Sequence, residues 1–123
     1  MEKVNVAQKF SLFSEKYSPK IVGEINGTFV KLVKLEGDFL WHHHEVEDEL
    51  FFVVKGELRM KLRDNGVERE EIIGPGEFII IPHGVEHLPS ADVETHIMLL
   101  EPRTTLNTGN VQSERTVAEL ERI

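Results

Sequence analysis

The chain contains no cysteine. That excludes a disulfide framework, a thiolate metal site and a thiol nucleophile. Any bound metal must therefore be held by nitrogen and oxygen. No apolar run approaches the roughly 20 residues that a membrane-spanning helix needs. The opening Met1-Glu2-Lys3-Val4-Asn5 is too polar for a signal peptide, so the expected compartment is the cytoplasm, with no membrane partner. Basic charge is scarce: 14 Lys and Arg stand against 22 Asp and Glu, a formal net charge of -8. A phosphate backbone needs a basic surface, so nucleic acid is not an expected partner. The chain also lacks repeats, low-complexity tracts and helical patterns between its strand patterns, which disfavours a parallel βαβ sheet.

What is present fits an all-β fold. The 123 residues suffice for one core and are too few for two ordinary domains. The expectation is one domain over residues 1–123 with its barrel core at about 20–101. Strands are predicted at 20–25, 28–35, 39–44, 49–54, 57–63, 67–73, 78–81, 85–88 and 93–100. Turn signals such as Asn26-Gly27, Asp64-Asn65-Gly66 and Gly74-Pro75-Gly76 separate them. Pro89 to Asp92 reads as a loop. Asn5 is a cap for a short N-terminal helix reaching Phe13, and Thr116 for a short C-terminal helix over 116–123. Short strands at even spacing predict an antiparallel sandwich or barrel.

The most informative stretch is Trp41-His42-His43-His44-Glu45-Val46-Glu47-Asp48-Glu49. Histidine runs are often solvated, or belong to terminal tags; this one is internal and leads into strand sequence. In extended chain, side chains alternate, so His42 and His44 point one way and His43 the other. Glu49 then opens the next strand. Two imidazoles and a carboxylate on neighbouring strands can converge as ligands of a divalent transition metal. The strand after Glu49 is apolar on both faces, which fits cover on both sides. The second cover is expected to be another copy of the chain, giving a homodimer, or a terminal segment.

Two glycine-bounded segments resemble the motifs of the cupin superfamily. The first is Gly37, His42, His44, Glu49 and Gly56; four residues separate Gly37 from His42, where the family usually has five. The second is Gly76, Pro82, Gly84 and His87, with Ala91 where the family often carries asparagine. The resemblance is nearest to small single-domain cupins of the mannose-6-phosphate-isomerase-like kind. It implies an antiparallel double-stranded β-helix, a jelly-roll barrel, and a metal bound by His42, His44, Glu49 and His87. Fe, Mn, Ni and Zn all suit such a donor set. With a divalent ion the site would carry about +1 charge and favour an anionic or oxygen-rich small molecule in the barrel.

The remaining candidates read as structural. His43 faces away, His83 lies in an exposed turn, and His96 is a packed histidine or a barrel-lining one. Arg59, Lys61 and Arg63 alternate against Leu58, Met60 and Leu62 and so face solvent. Lys31 or Lys34 can point inward. Without an inward Arg or Lys, sugar-phosphate isomerisation is disfavoured, because phosphate recognition needs such a group. The functional expectation is a metalloenzyme, an oxygenase or isomerase, acting on a small oxygen-rich or anionic metabolite. The alternative is a non-catalytic barrel that senses or sequesters a small molecule.

Overall fold

A computed structural model describes every residue from Met1 to Ile123. Its elements are α1 (Val6–Phe10), β1 (Lys20–Ile25), β2 (Thr28–Asp38), β3 (Glu49–Lys55), β4 (Leu58–Asp64), β5 (Val67–Ile73), β6 (Phe78–Ile81) and β7 (Glu86–Pro102). The strands pair antiparallel in the order β1-β2-β7-β3-β6, and β4 bonds to both β5 and β7. The 17-residue β7 joins the two parts of the barrel. Its first residues, from Glu86 to Ser90, pair with β4. Its later residues run between β2 and β3. No helix is long and apolar enough to cross a membrane.

Period-two alternation builds the interior. Phe51 and Val53 on β3, Leu58, Met60 and Leu62 on β4, and Ile97 and Leu99 on β7 form one buried cluster. Burying each such side chain contributes about 1.5–3 kcal/mol. A second cluster lies outside the sheet, where Phe10 and Phe13 cover Leu32.

Four expectations are corrected. Residues 39–44 form no strand. A bulge between Leu35 and Gly37 lets β2 run on to Asp38, and the chain then touches the sheet through one bridge, His42 to His87. Pro89 to Asp92 is strand, not loop. Proline cannot donate, but the Pro89 carbonyl accepts from Phe39 N at 3.0 Å, so the ladder keeps its acceptor. The N-terminal helix is shorter than expected. Asn5 Oδ1 does accept from Gln8 N at 3.0 Å, but Ser11 ends the helix after Phe10, its hydroxyl bonding Gln8 O at 2.6 Å. The C-terminal helix is absent. Residues 121–123 instead lie along the free edge of β1, with Ile21 N donating to Glu121 O at 2.9 Å and Ile123 N to Ile21 O at 3.0 Å. An isolated eight-residue helix is marginal, and an open strand edge offers firm partners.

Candidate metal centre

The bridge between His42 and His87 is the base of the site. Their main chains exchange two hydrogen bonds, at 3.1 and 2.9 Å. His42 then points inward, and alternation places His44 inward too. Glu49 is the first residue of β3 and shares the inward face with Phe51 and Val53. The turn before His87 depends on Gly84, whose φ of 83° is a left-handed value that favours glycine. Gly84 N donates to His44 O at 2.8 Å and ties this turn to the first histidine segment.

One donor atom from each of His42, His44, Glu49 and His87 lies within 4.8 Å of all the others. None of the four residues is more than 4% exposed. His42 Nδ1 lies 2.9 Å from Leu40 O, and His87 Nδ1 lies 2.9 Å from Val85 O. A carbonyl only accepts, so each Nδ1 carries the proton and each Nε2 offers a lone pair. His87 Nε2 lies 3.2 Å from Glu49 Oε1, so two lone pairs face each other. A proton or a cation must sit between them. His44 Nε2, 3.3 Å from the same oxygen, is buried with no hydrogen-bond partner. A divalent ion among these atoms satisfies all of them, and the donor set suits one.

Electrostatics keep the set competent. Burial, and then the charge of His87, lower His42 from 6.5 to about 4, so its imidazole is neutral at ordinary pH. Burial raises Glu49, but the polar groups packed beside it, Glu101, His44 and His87, outweigh it and hold the carboxyl well below its usual value. Burial and the neighbouring charge of Glu49 push Glu101 well up.

A cavity opens beside these donors, walled by Val33, Leu35, Phe39, Phe51, Leu99 and Tyr17, with Glu101 and Asn107 as further polar lining. The space is about 30 Å³, room for one or two waters. Two rings of its wall are stacked: Tyr17 lies 4.7 Å from Phe39, and the Arg115 guanidinium sits 5.4 Å from the Tyr17 ring. The segment after β7 passes over the histidines as a strap. Asn110 N donates to His43 O at 3.0 Å, and His43 N donates to Asn110 Oδ1 at 2.9 Å.

The other histidines lie outside the centre. His43 Nε2 meets Glu45 at 2.7 Å, and His83 sits on Asp48 with its side chain 60% exposed. His96 stacks on Phe10 at 4.4 Å and bonds Glu94, so it is the packed histidine and not a barrel-lining one. Arg59, Lys61 and Arg63 lie on the outer face, where Arg63 covers the Trp41 ring. Of the two lysines, Lys31 points into the barrel. Lys34 turns to the outside and donates to Phe13 O at 2.5 Å.

Sequence reasoning missed Glu101, the stack of Tyr17 on Phe39, and the strap. Glu101 had a signal: on β7 it shares the parity of Ile97 and Leu99, an acidic residue on an apolar face. The strap had none, because it is irregular.

A family model described as a Cupin domain matches residues 29–101, which include all four donors. A cupin-2 domain containing protein from Shewanella frigidimarina has a solved structure that aligns with a TM-score of 0.76 at 44% identity, covering 81% of this chain and 94% of that one. The Bacillus subtilis protein YdbB is 31% identical over 87 residues, 71% of this chain and 74% of its own length. The 3-hydroxyanthranilate 3,4-dioxygenase of Bos taurus is 29% identical over 62 residues, 50% of this chain but only 22% of that protein.

Proposed function

This chain belongs to the cupin family, and we propose that it is a metal-dependent enzyme acting on a compact, oxygen-rich metabolite, with His42, His44, Glu49 and His87 as the ligands. The observation that carries this reading is the convergence of four buried donor atoms within 4.8 Å, two of them lone pairs facing each other. A bound divalent transition metal would polarise a ligand oxygen or activate dioxygen there. The protein's own part is to hold the His42 and His87 imidazoles in one tautomer and to wall the site with apolar side chains.

Similarity to a dioxygenase makes oxygen chemistry the first reaction to test and iron the first metal. The space of about 30 Å³ favours a compact substrate. An aromatic substrate such as the one in that relative's name enters only if the strap and the Tyr17 stack move. The mannose-6-phosphate-isomerase-like reading has less support. The one inward lysine, Lys31, is already bonded to Glu101 at 2.5 Å, and no free cation remains in the barrel for a phosphate. A non-catalytic binding barrel is the second reading, favoured by the small size of the cavity.

We read residues 1–123 as one domain in the cytoplasm, and we propose a homodimer. Phe78 and Ile80 are 59% and 52% exposed on β6, opposite Phe52 and Leu50 of β3. A second copy packed on that apolar row would cover it. The functional test is elemental analysis of untagged protein, followed by oxygen-uptake assays of the metal-loaded protein with small enolisable acids and hydroxy acids. About one equivalent of iron and substrate-dependent uptake are expected. Protein that takes up no divalent metal would defeat the reading.

A further inference from the structure

The cavity beside the four donors has few polar side chains in its wall, and most of them are engaged. The Tyr17 hydroxyl donates to Gly37 O. Asn107 is held from both ends of its amide: Nδ2 donates to Arg115 O at 2.8 Å, and Oδ1 accepts from Val117 N at 2.9 Å. His42 and Glu49 belong to the donor set. Glu101 differs from all of these. It is 1% exposed, and its Oε1 accepts from Lys31 Nζ at 2.5 Å. Its Oε2 is buried without a partner, the one such side-chain atom among the residues lining the cavity. Lys31 lies outside that lining and holds one oxygen, which leaves the other to the cavity. Stability does not explain the arrangement. A buried ion pair does no better than apolar residues of similar volume, and a buried acceptor without a partner is costly and rare.

We propose that Glu101 Oε2 recognises a hydroxyl of the substrate, and that the substrate is a small hydroxy acid that meets the metal through oxygen and donates its hydroxyl to Glu101. This names the substrate class for the metal-site reading above and rests on it. Pockets of this kind are apolar, with a few placed polar groups that set orientation and specificity. The Lys31 ammonium balances the charge of Glu101, so Oε2 carries lone pairs and no proton. A divalent ion on Glu49 offsets the neighbouring negative charge that works against this state. The site then discriminates in two directions. A second carboxylate or a phosphate at the same position sets like charges together. A methyl ether in place of the hydroxyl leaves Oε2 buried and unpaired, which a site built to bond a hydroxyl penalises.

The experiment titrates the cobalt(II)-loaded protein with glycolate and with methoxyacetate, read by the visible absorption bands of the bound ion. The two acids differ in whether the oxygen beside the carboxylate carries a hydrogen. Their affinity ratio on the protein is compared with their ratio on free cobalt(II). The parent is expected to favour glycolate by about tenfold or more beyond the free-ion ratio, as a hydrogen bond to a charged group implies. That comparison needs no variant. Glu101→Gln keeps an oxygen for Lys31 and turns an amide N–H toward the cavity, so its ratio is expected to fall back to that of the free ion. A parent ratio equal to the free-ion ratio overturns the inference and leaves the metal site standing. Bands that neither acid moves overturn it too, since the cavity then takes water only. A Glu101→Gln protein that keeps the parent's ratio shows exclusion by size and overturns it as well. A parent that binds no cobalt overturns the metal-site reading itself and this inference with it.

Discussion

His42 and His87 are hydrogen-bonded twice through their main chains, and this rung brings their imidazole centroids to 4.3 Å. The rung is backbone, so it survives truncation of either side chain. His87→Ala is therefore expected to fold and to lose metal affinity by more than about 100-fold, beyond the range for outer partners. Elemental analysis after dialysis checks it. Unchanged metal content would remove His87 from the ligand set.

The pH dependence follows from His42. Its folded pKa of about 4 lies below the ordinary 6.5. Between those values the unfolded chain binds more protons than the folded one, so stability rises with pH. As pH falls from 6.5 to about 4, the metal-free protein is expected to lose up to about 3 kcal/mol from this group. Urea unfolding at stepped pH measures it. A His42→Gln variant should flatten that part of the curve. The same shift extends the metal competence of His42 below the pH of about 6 that an unperturbed histidine sets.

Gly109 presses on the site from the strap. A Cβ there would sit 2.1 Å from the His43 carbonyl oxygen and 3.1 Å from a carbon of the His42 ring, at a φ of +55°. The contact with the His43 carbonyl cannot relax without moving main chain, and the other presses on the His42 ring. Gly109→Ala is expected to destabilise by about 2 kcal/mol or more and to weaken metal binding by displacing His42. Thermal melts with and without metal test both effects. An unchanged melting temperature would mean that the strap does not lie on His43 as described.

Core and cover should separate cleanly. Met60 is fully buried, and Met98 is half-buried under α1. Met60→Ala is expected to remove about 2–5 kcal/mol and Met98→Ala clearly less. Chemical denaturation of the two variants gives the comparison, and equal losses would contradict the two-cluster packing.

The proposed dimer has a direct test. Ile80→Lys puts a charge in the exposed row beside Leu50 without touching the barrel interior. The parent is expected to sediment as a dimer at micromolar concentration and the variant as a monomer with intact secondary structure. A monomeric parent would refute the interface.

Much of this molecule was legible before its coordinates. The inward parity of His42 and His44 survived although residues 39–44 never form a strand, because alternation needs only extended backbone. The fourth donor, His87, came from the resemblance of Gly76, Pro82, Gly84 and His87 to the second cupin motif, and the structure brings it beside His42. The strand with Leu58, Met60 and Leu62 read correctly because its other face is charged. The failures have physical causes as well. Val117, Leu120 and Ile123 have helical spacing, but tertiary hydrogen bonds to Ile21 outweigh it. Pro89 suggested a break because local chemistry does not reveal that its carbonyl would serve Phe39. Glu101 was missed because composition alone does not weigh an acid against the parity of its strand.

The long β7 also governs how the molecule comes into being. It bonds to β2, β3 and β4, so no half of the barrel closes before residues 86–102 are in place. Such remote pairing gives a high contact order and slow folding, on the order of milliseconds to seconds. On the ribosome, a nascent chain ending before Glu86 carries three of the four donors and no scaffold to gather them. At the proposed site, metal capture would thus be a late event of biogenesis, tied to the arrival of a single strand.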